Sequence, residues 1–185
     1  ENQKIRSQVL EIIDSVKLRG DAALIEYAKK FDHCHLKTLR VTDIEIEEAF
    51  ELIGSEMASI IKEAAENICA FHKKQKKETW IYNPSPGITL GQQITPLERV
   101  GLYVPGGKAA YSSTVLMDSI PAIVAGVDSI VMVTPPEKNG KINPATLAAA
   151  RVAGVHEIYK TGGAQAIAAL AYGTESILPV NKIVG

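Results

Sequence analysis

Apolar residues in the first eighty positions recur at the three- and four-residue spacing of amphipathic helices. This spacing predicts one helix across residues 9–16 and a second that begins at the Gly20-Asp21 break and runs through Phe31. The run Thr42-Asp-Ile-Glu45 has the form of a capping box, which indicates the start of a third helix. A fourth is expected after Gly54, with an apolar side formed by Met57, Ile60, Ile61, Ala64, Ala65, Ile68 and Phe71.

The pattern changes near residue 80. Prolines and glycines interrupt residues 81–98, and alternation from Ile88 to Ile94 predicts one strand within a linker. From Arg99 onward, short apolar runs alternate with turns and helices, the pattern of a parallel sheet covered on both faces. We therefore predict an α/β fold with a helical segment at 1–80, a linker with a strand at 81–98, and a Rossmann-like βαβ domain at 99–185.

Three turns follow the first three predicted strands of this βαβ domain. They are Pro105-Gly-Gly107, Thr134-Pro-Pro136 and Thr161-Gly-Gly163. In open parallel sheets, ligands bind at the carboxyl ends of the strands, and paired glycines allow a ligand to approach the backbone closely. The same glycines could serve only to permit tight turns, and the sequence leaves both interpretations open.

Two polar side chains are candidates for this edge of the sheet. Tyr103 ends the first predicted strand of the βαβ domain and offers a ring and a hydroxyl. Gln165 lies just inside the helix after Gly163, in an otherwise apolar run, and needs a hydrogen-bonding partner that a ligand could provide. We predict that both side chains line one crevice at the carboxyl ends of the first and third strands.

The familiar signatures of nucleotide and metal sites are absent. Neither G-x-G-x-x-G nor the P-loop pattern occurs, so any nucleotide must be bound in another way. The four histidines show no ligand spacing, and His33-Cys-His35 is the only cluster, in a polar connection. Ser112 and Ser113 are interpreted as helix caps rather than nucleophiles. The sequence therefore indicates neither a metal site nor acid/base residues for catalysis.

Composition narrows the class of protein. The chain has 185 residues and a formal net charge of -1, which gives no reason to expect a nucleic-acid partner. The only basic cluster, at 73–77, falls at an expected helix end. The two cysteines, Cys34 and Cys69, form no disulfide or zinc pattern, so we expect free thiols and a cytoplasmic location. No apolar run reaches the roughly 20 residues that span a bilayer, so no membrane association is expected.

Several longer motifs resemble the histidinol dehydrogenase family. They are Val100-Gly-Leu-Tyr-Val-Pro-Gly-Gly107, Ser113-Thr-Val-Leu-Met117, Thr134-Pro-Pro136 and, above all, Gly162-Gly-Ala-Gln-Ala-Ile-Ala-Ala-Leu-Ala-Tyr-Gly-Thr-Glu175. The helical half resembles the family at Arg19-Gly-Asp-Ala22 and Phe71-His72. The resemblance covers essentially the whole chain, and the stretch from 162 to 175 is too long for chance agreement.

The resemblance implies a zinc-dependent, homodimeric, cytoplasmic enzyme that oxidises L-histidinol to L-histidine through the aldehyde with two NAD. It also implies an incomplete Rossmann-like fold similar to that of aldehyde dehydrogenases. In the family, a tyrosine and a glutamine in the glycine motifs contact NAD, and these correspond to Tyr103 and Gln165.

The chain departs from the family pattern in two places. Asn181 stands where the family usually has aspartate. The sequence ends at Gly185, where the family continues with Pro-Gly-Asn, whose asparagine contacts NAD. The zinc ligands and the catalytic Glu-His pair are therefore expected outside this chain, and we assign no catalytic or metal residue within it. Two alternatives stay open: another aldehyde-dehydrogenase-like oxidoreductase, which would need a catalytic cysteine, and a non-catalytic binding module.

Overall fold

A computed structural model of the chain describes residues 2–106 and 111–185. Its helices are α1 (Asn2–Arg19), α2 (Asp21–Phe31), α3 (Asp43–Leu52), α4 (Gly54–Lys73), α5 (Ser112–Ala125), α6 (Pro144–Ala153) and α7 (Gly163–Tyr172). Its strands are β1 (Trp80–Ser85), β2 (Ile88–Gln92), β3 (Arg99–Tyr103), β4 (Ser129–Thr134), β5 (Glu157–Lys160) and β6 (Lys182–Val184). The predicted α/β class is confirmed, and most predicted boundaries lie within two residues of these.

Four parallel strands form the central sheet in the order β5-β4-β3-β6. Counted from β3 along the chain, this is the order 3-2-1-4 of a Rossmann half, in which the direction of winding reverses between the first and fourth strands. In open sheets, ligands bind at the carboxyl ends of the two strands between which the winding reverses, here β3 and β6. Tyr103, the last residue of β3, lies at that point.

The N-terminal helices divide between the two faces of the sheet. Helices α1 and α2 pack with α7, and α3 and α4 pack with α5 and α6. Each face has its own apolar core, since Leu102 and Ile158 belong to one buried cluster and Val131 and Leu170 to the other. The four helices predicted at 1–80 thus cover the sheet, while the division of the chain at residues 80 and 98 stays a prediction.

The segment between the helices and the sheet contains two strands, where the sequence predicts one. Strands β1 and β2 pair antiparallel as a separate hairpin, with Trp80 opposite Gln92 and Tyr82 opposite Leu90. Every residue of both strands is exposed. The missed strand contains Pro84, which weakens the pattern that would have indicated it.

The outer edge of β5 is covered by a short segment that the sequence does not reveal. The Val41 N–H donates to the Ile158 carbonyl at 2.9 Å, and the Lys160 N–H donates to the Leu39 carbonyl at 2.7 Å. This antiparallel bridge leads directly into the predicted capping box, where Glu45 N–H donates to Thr42 Oγ1 at 3.2 Å. The capping-box prediction is confirmed, and the bridge shields an edge strand from pairing with other chains.

The helix caps show where local pattern is insufficient. Ser112 and Ser113 lie inside the first turn of α5, whose N-cap is Tyr111 with no side-chain hydrogen bond, so the prediction that the serines cap this helix is wrong. The N-cap of helix α2, Gly20, supplies no side-chain hydrogen bond either. Its first N–H, that of Asp21, donates to Glu175 Oε2 at 2.7 Å, from a residue 154 positions away. Long-range contacts therefore replace local caps at this terminus.

Candidate functional site

The three turns that the sequence singles out meet at the carboxyl edge of the parallel sheet. The turn that contains Pro135 lies between the turn that contains Gly106 and the turn that contains Gly162. A Cβ placed on Gly106 would come within 2.4 Å of Pro135 Cγ, and a Cβ on Gly162 within 2.6 Å of Pro135 Cβ. Only glycine fits at either position without a shift of the proline. Gly107, the second glycine of its turn, lies outside the described residues.

This packing bears on the two interpretations of the glycine turns. At Gly106 and Gly162 the absence of a side chain is required by contact with Pro135, so close packing of the turns accounts for both glycines. Gly163 differs, because its φ of +64° lies in the left-handed region that favours glycine. Sequence reasoning named the turn Thr134-Pro-Pro136 but missed the part played by Pro135, since which residues it touches depends on the order of the strands.

Tyr103 and Gln165 come together at Gly163. The Gly163 N–H donates to the Tyr103 hydroxyl oxygen at 3.2 Å. A Cβ on Gly163 would lie 2.9 Å from Gln165 Oε1 and 3.3 Å from its Nε2, so the glutamine amide lies against the same residue. Gln165 is 3% exposed, whereas Tyr103 is half-buried. Both side chains therefore adjoin Gly163, at the start of the helix that follows β5, and their assignment to a ligand crevice stays a prediction.

The start of α7 contributes polar backbone groups to this site. Its N-cap, Gly162, supplies no side-chain hydrogen bond. The first N–H groups of a helix have no partner within the helix and carry partial positive charge, which favours acceptors and anions. The Tyr103 hydroxyl serves one of these groups, that of Gly163. The site therefore combines an aromatic ring, an amide side chain and N–H groups.

A small cleft of about 20 Å³, large enough for about one water molecule, lies beside these turns on the α6 side of the sheet. Pro105, Gly106 and Pro135 line it together with Asn143, whose Oδ1 caps α6 by accepting the Ala145 N–H at 3.0 Å. Asparagine followed by proline at the first helical position is a local pattern typical of a helix start.

The opposite, amino edge of the sheet carries a network of charged and polar groups. Arg99 Nη1 donates to Glu157 Oε2 at 2.9 Å, and the Tyr159 hydroxyl lies 3.1 Å from Glu157 Oε1 and 2.5 Å from the Ser176 carbonyl oxygen. The Ser176 hydroxyl in turn bonds to the Asp21 carboxylate. Asn181 completes the edge, because its Oδ1 accepts the Arg99 N–H at 2.9 Å.

The environment of this network shifts two pKa values. Burial acts to raise the pKa of Glu157, but the hydrogen bond and positive charge of Arg99 outweigh it and lower that pKa from 4.5. Burial, reinforced by the negative charge of Glu157, raises the pKa of Tyr159 to about 12. Both groups therefore hold the protonation states that their hydrogen bonds require at neutral pH, which is the behaviour of a structural network.

The cysteines and histidines of the described residues form no group that could hold a metal ion. Cys34 and Cys69 are both free. Cys34 is 1% exposed, and burial raises its thiol pKa, the opposite of what a nucleophilic thiolate needs. Within residues 2–106 and 111–185, no three histidine, cysteine or acidic side chains are grouped so that they could hold a metal ion. In the same residues, no helix is long and apolar enough to cross a membrane.

The strand order and the position of the polar groups define the chain as a Rossmann-like α/β protein. The family model described as histidinol dehydrogenase matches residues 1–185, and the chain belongs to that family.

Individual relatives agree with this assignment. Histidinol dehydrogenase of Geobacillus kaustophilus is 56% identical over 97% of this chain, and that of Bacillus subtilis is 51% identical over 97%. The crystal structure of histidinol dehydrogenase from Elizabethkingia anophelis superimposes with a TM-score of 0.94 at 42% identity and covers 98% of this chain. The chain spans about 42% of the length of each of these three relatives.

Proposed function

We propose that this chain forms the NAD-binding part of a histidinol dehydrogenase, which oxidises L-histidinol to L-histidine through the aldehyde with two NAD. The proposal includes a cytoplasmic, homodimeric parent enzyme. The observation that carries it is the meeting of Tyr103 and Gln165 at Gly163, beside the point where the winding of the sheet reverses. Family membership supports the proposed substrate and reaction.

The residues of this site fit a dinucleotide in three respects. The Tyr103 ring is half-buried, so it offers an apolar face for a flat ring and a hydroxyl for a polar group. The buried Gln165 amide carries one acceptor and two donors that can fix the orientation of a ligand. The N–H groups at the start of α7 favour the charge of a pyrophosphate.

In the reaction, bound NAD supplies the hydride acceptor. The part of this chain is to hold and orient the cofactor: Gln165 has few alternative positions because it is buried, and Tyr103 is held by the Gly163 N–H. Preorganisation of this kind lowers the entropy lost on binding. Because the Tyr103 hydroxyl oxygen accepts the Gly163 N–H, its own proton stays free to donate to an acceptor on the ligand.

The parent's zinc and proton-transferring residues are assigned outside this chain. Catalytic zinc requires about three protein ligands, and the described residues hold no such group. Oxidation of an alcohol also requires a base within hydrogen-bond reach of its hydroxyl. We therefore propose that this polypeptide alone neither binds zinc tightly nor oxidises histidinol.

The test is NAD⁺ binding to the polypeptide by isothermal titration calorimetry. Tyr103→Ala and Gln165→Ala should each weaken binding by about tenfold, the effect of losing one good hydrogen bond or ring contact. Tyr172→Ala and Gln93→Ala are matched controls, because both side chains are exposed and lie away from Gly163. Equal affinities for all five proteins, or no NAD⁺ binding at all, would contradict the proposal.

Zinc content and turnover test the second part. Elemental analysis should find less than one zinc per chain, and NADH should not form with histidinol and NAD⁺, while a full-length histidinol dehydrogenase serves as the active control. Stoichiometric zinc with turnover near that of the control would mean that the active site lies within this chain and that our assignment of it is wrong.

A further inference from the structure

We propose that Pro135 is a positioning residue for the cofactor site, acting through the turns that carry Tyr103 and Gln165. The inference rests on the proposed function, because it concerns the same site. It goes further because it names Pro135, in the turn between them, as the residue that sets the distance between Tyr103 and Gln165.

The argument begins with the packing of the proline ring. Its Cγ faces Gly106, three residues after Tyr103, and its Cβ faces Gly162, three residues before Gln165. A Cβ added at Gly106 would lie 2.4 Å from the ring, and one added at Gly162 would lie 2.6 Å from it. Each turn therefore approaches the ring more closely than a side chain would permit. The proline ring is therefore the spacer between the turn after β3 and the turn after β5.

A proline suits this purpose because its ring is rigid. It fixes its own φ and has no side-chain rotamers to adjust. A shift of one turn against the ring is therefore passed to the other turn, because no change of rotamer can accommodate it. The hydrogen bond from the Gly163 N–H to the Tyr103 hydroxyl spans the same two turns at 3.2 Å, a separation that a small shift of either turn would break.

Two glycine substitutions probe the two sides of the ring separately. Gly106→Ala places its Cβ against Pro135 Cγ, while the next nearest proline atoms, Cδ and Cβ, are 3.3 and 3.4 Å away. Gly162→Ala places its Cβ 2.6 Å from Pro135 Cβ. Gly162 has φ -130° and ψ -172°, an extended conformation that alanine adopts freely, so this substitution is disfavoured only by the contact with the proline.

This geometry predicts selective rescue. Pro135→Ala removes Cγ and Cδ but retains Cβ, so it relieves the contact made by Gly106→Ala and leaves the one made by Gly162→Ala. Each glycine variant should weaken NAD⁺ binding by about tenfold, the effect of displacing one of the two side chains from its contact with the ligand. The Gly106→Ala/Pro135→Ala protein should return to within about threefold of wild type, whereas Gly162→Ala/Pro135→Ala should not recover.

Two further measurements separate positioning from general stability. The backbone amide resonance of Gly163, observed by NMR without NAD⁺, should move in each glycine variant and return only in the Gly106 double variant. In a Tyr103→Phe background, Gly106→Ala should weaken NAD⁺ binding by clearly less than tenfold, because the contact through which it acts is already lost. Thermal unfolding identifies any single variant that fails to fold. In that case, NAD⁺ binding by the Gly106→Ala/Pro135→Ala protein decides whether the inference holds.

The inference is overturned if wild type binds NAD⁺ and Gly106→Ala leaves the affinity and the Gly163 resonance unchanged. It is also overturned if Pro135→Ala rescues both glycine variants or neither. Absence of NAD⁺ binding in wild type would contradict the proposed function instead, and the Gly163 resonance would still report whether Pro135 sets the spacing of the turns.

Discussion

The two edges of the parallel sheet are built from different chemistry. The amino edge is held by the Arg99–Glu157 ion pair and the hydroxyl of Tyr159, all largely shielded from water. The carboxyl edge has the glycine turns around Pro135 and one hydrogen bond from Gly163 to Tyr103. Most polar groups at the first edge bond to one another, although Arg99 Nε has no hydrogen-bond partner among the described residues. At the second edge, Tyr103 and Gln165 are the groups that we propose contact a ligand.

This difference separates stability from ligand binding. Groups that satisfy one another at the amino edge cannot engage a ligand without being broken apart, so they contribute to folding. Groups at the carboxyl edge keep hydrogen-bonding capacity for a ligand and hold little of the chain together. Substitutions at the two edges should therefore affect different measurements.

The largest expected effect is the loss of Glu157. Glu157→Ala leaves the Arg99 guanidinium, whose side chain is 14% exposed, without its carboxylate partner. Breaking a buried pair in this way should lower the free energy of unfolding by about 2–4 kcal/mol, measured by urea denaturation. NAD⁺ affinity of the folded fraction should not change. Glu47→Ala, which breaks the more exposed pair with Arg151, is the control and should cost less than about 1 kcal/mol.

Two tyrosine-to-phenylalanine changes compare the edges directly. Tyr159→Phe removes a buried hydroxyl bonded at 2.5 Å to the Ser176 carbonyl and should cost about 1–3 kcal/mol of stability. Tyr103→Phe removes the acceptor of a more exposed hydrogen bond and should cost less than about 1 kcal/mol, while weakening NAD⁺ binding. A reversed ranking in thermal or urea unfolding would refute the assignment of stability to the amino edge.

The pH dependence of stability should reflect the lowered pKa of Glu157 at the amino edge. Glu157 has a lowered pKa, so its contribution is present above its unfolded value of 4.5 and is lost as the pH falls through the folded pKa. Glu45, whose carboxylate accepts hydrogen bonds from Lys160 and Thr42, has the same sign. As the pH falls below 4.5, the free energy of unfolding measured by urea denaturation should decrease, and the decrease should be smaller in Glu157→Gln.

The smallest expected effect is at a carboxylate without partners among the described residues. Asp118 Oδ2 is buried and has no hydrogen-bond partner within the part of the chain that the structure describes, and burial raises the pKa of this side chain. A raised pKa destabilises the fold as the pH rises above 3.8, so Asp118→Asn should increase stability near pH 7 by less than about 1 kcal/mol. The gain should vanish near pH 3. A gain of the same size at both pH values would mean that charge is not its cause.

The sequence by itself determined those features that depend on neighbours along the chain. The capping box at Thr42, the Asn143 cap and the alternation of strands and helices after Arg99 are local patterns, and each is present in the structure. The motif from 162 to 175 was sufficient to indicate the family. Tyr103 and Gln165 could be placed at one edge because parallel strands bring their carboxyl ends together.

Tertiary structure decided the contacts whose partners lie far apart in sequence. Glu175 caps a helix that begins at Asp21, and Glu157 pairs with Arg99 across the sheet. Neither partner is marked by spacing or periodicity. Pro135 contacts both glycine turns only because β4 lies between β3 and β5 in the sheet. A local pattern fixes the type of each element, but strand order decides which loops meet, because that order depends on the packing of the whole chain.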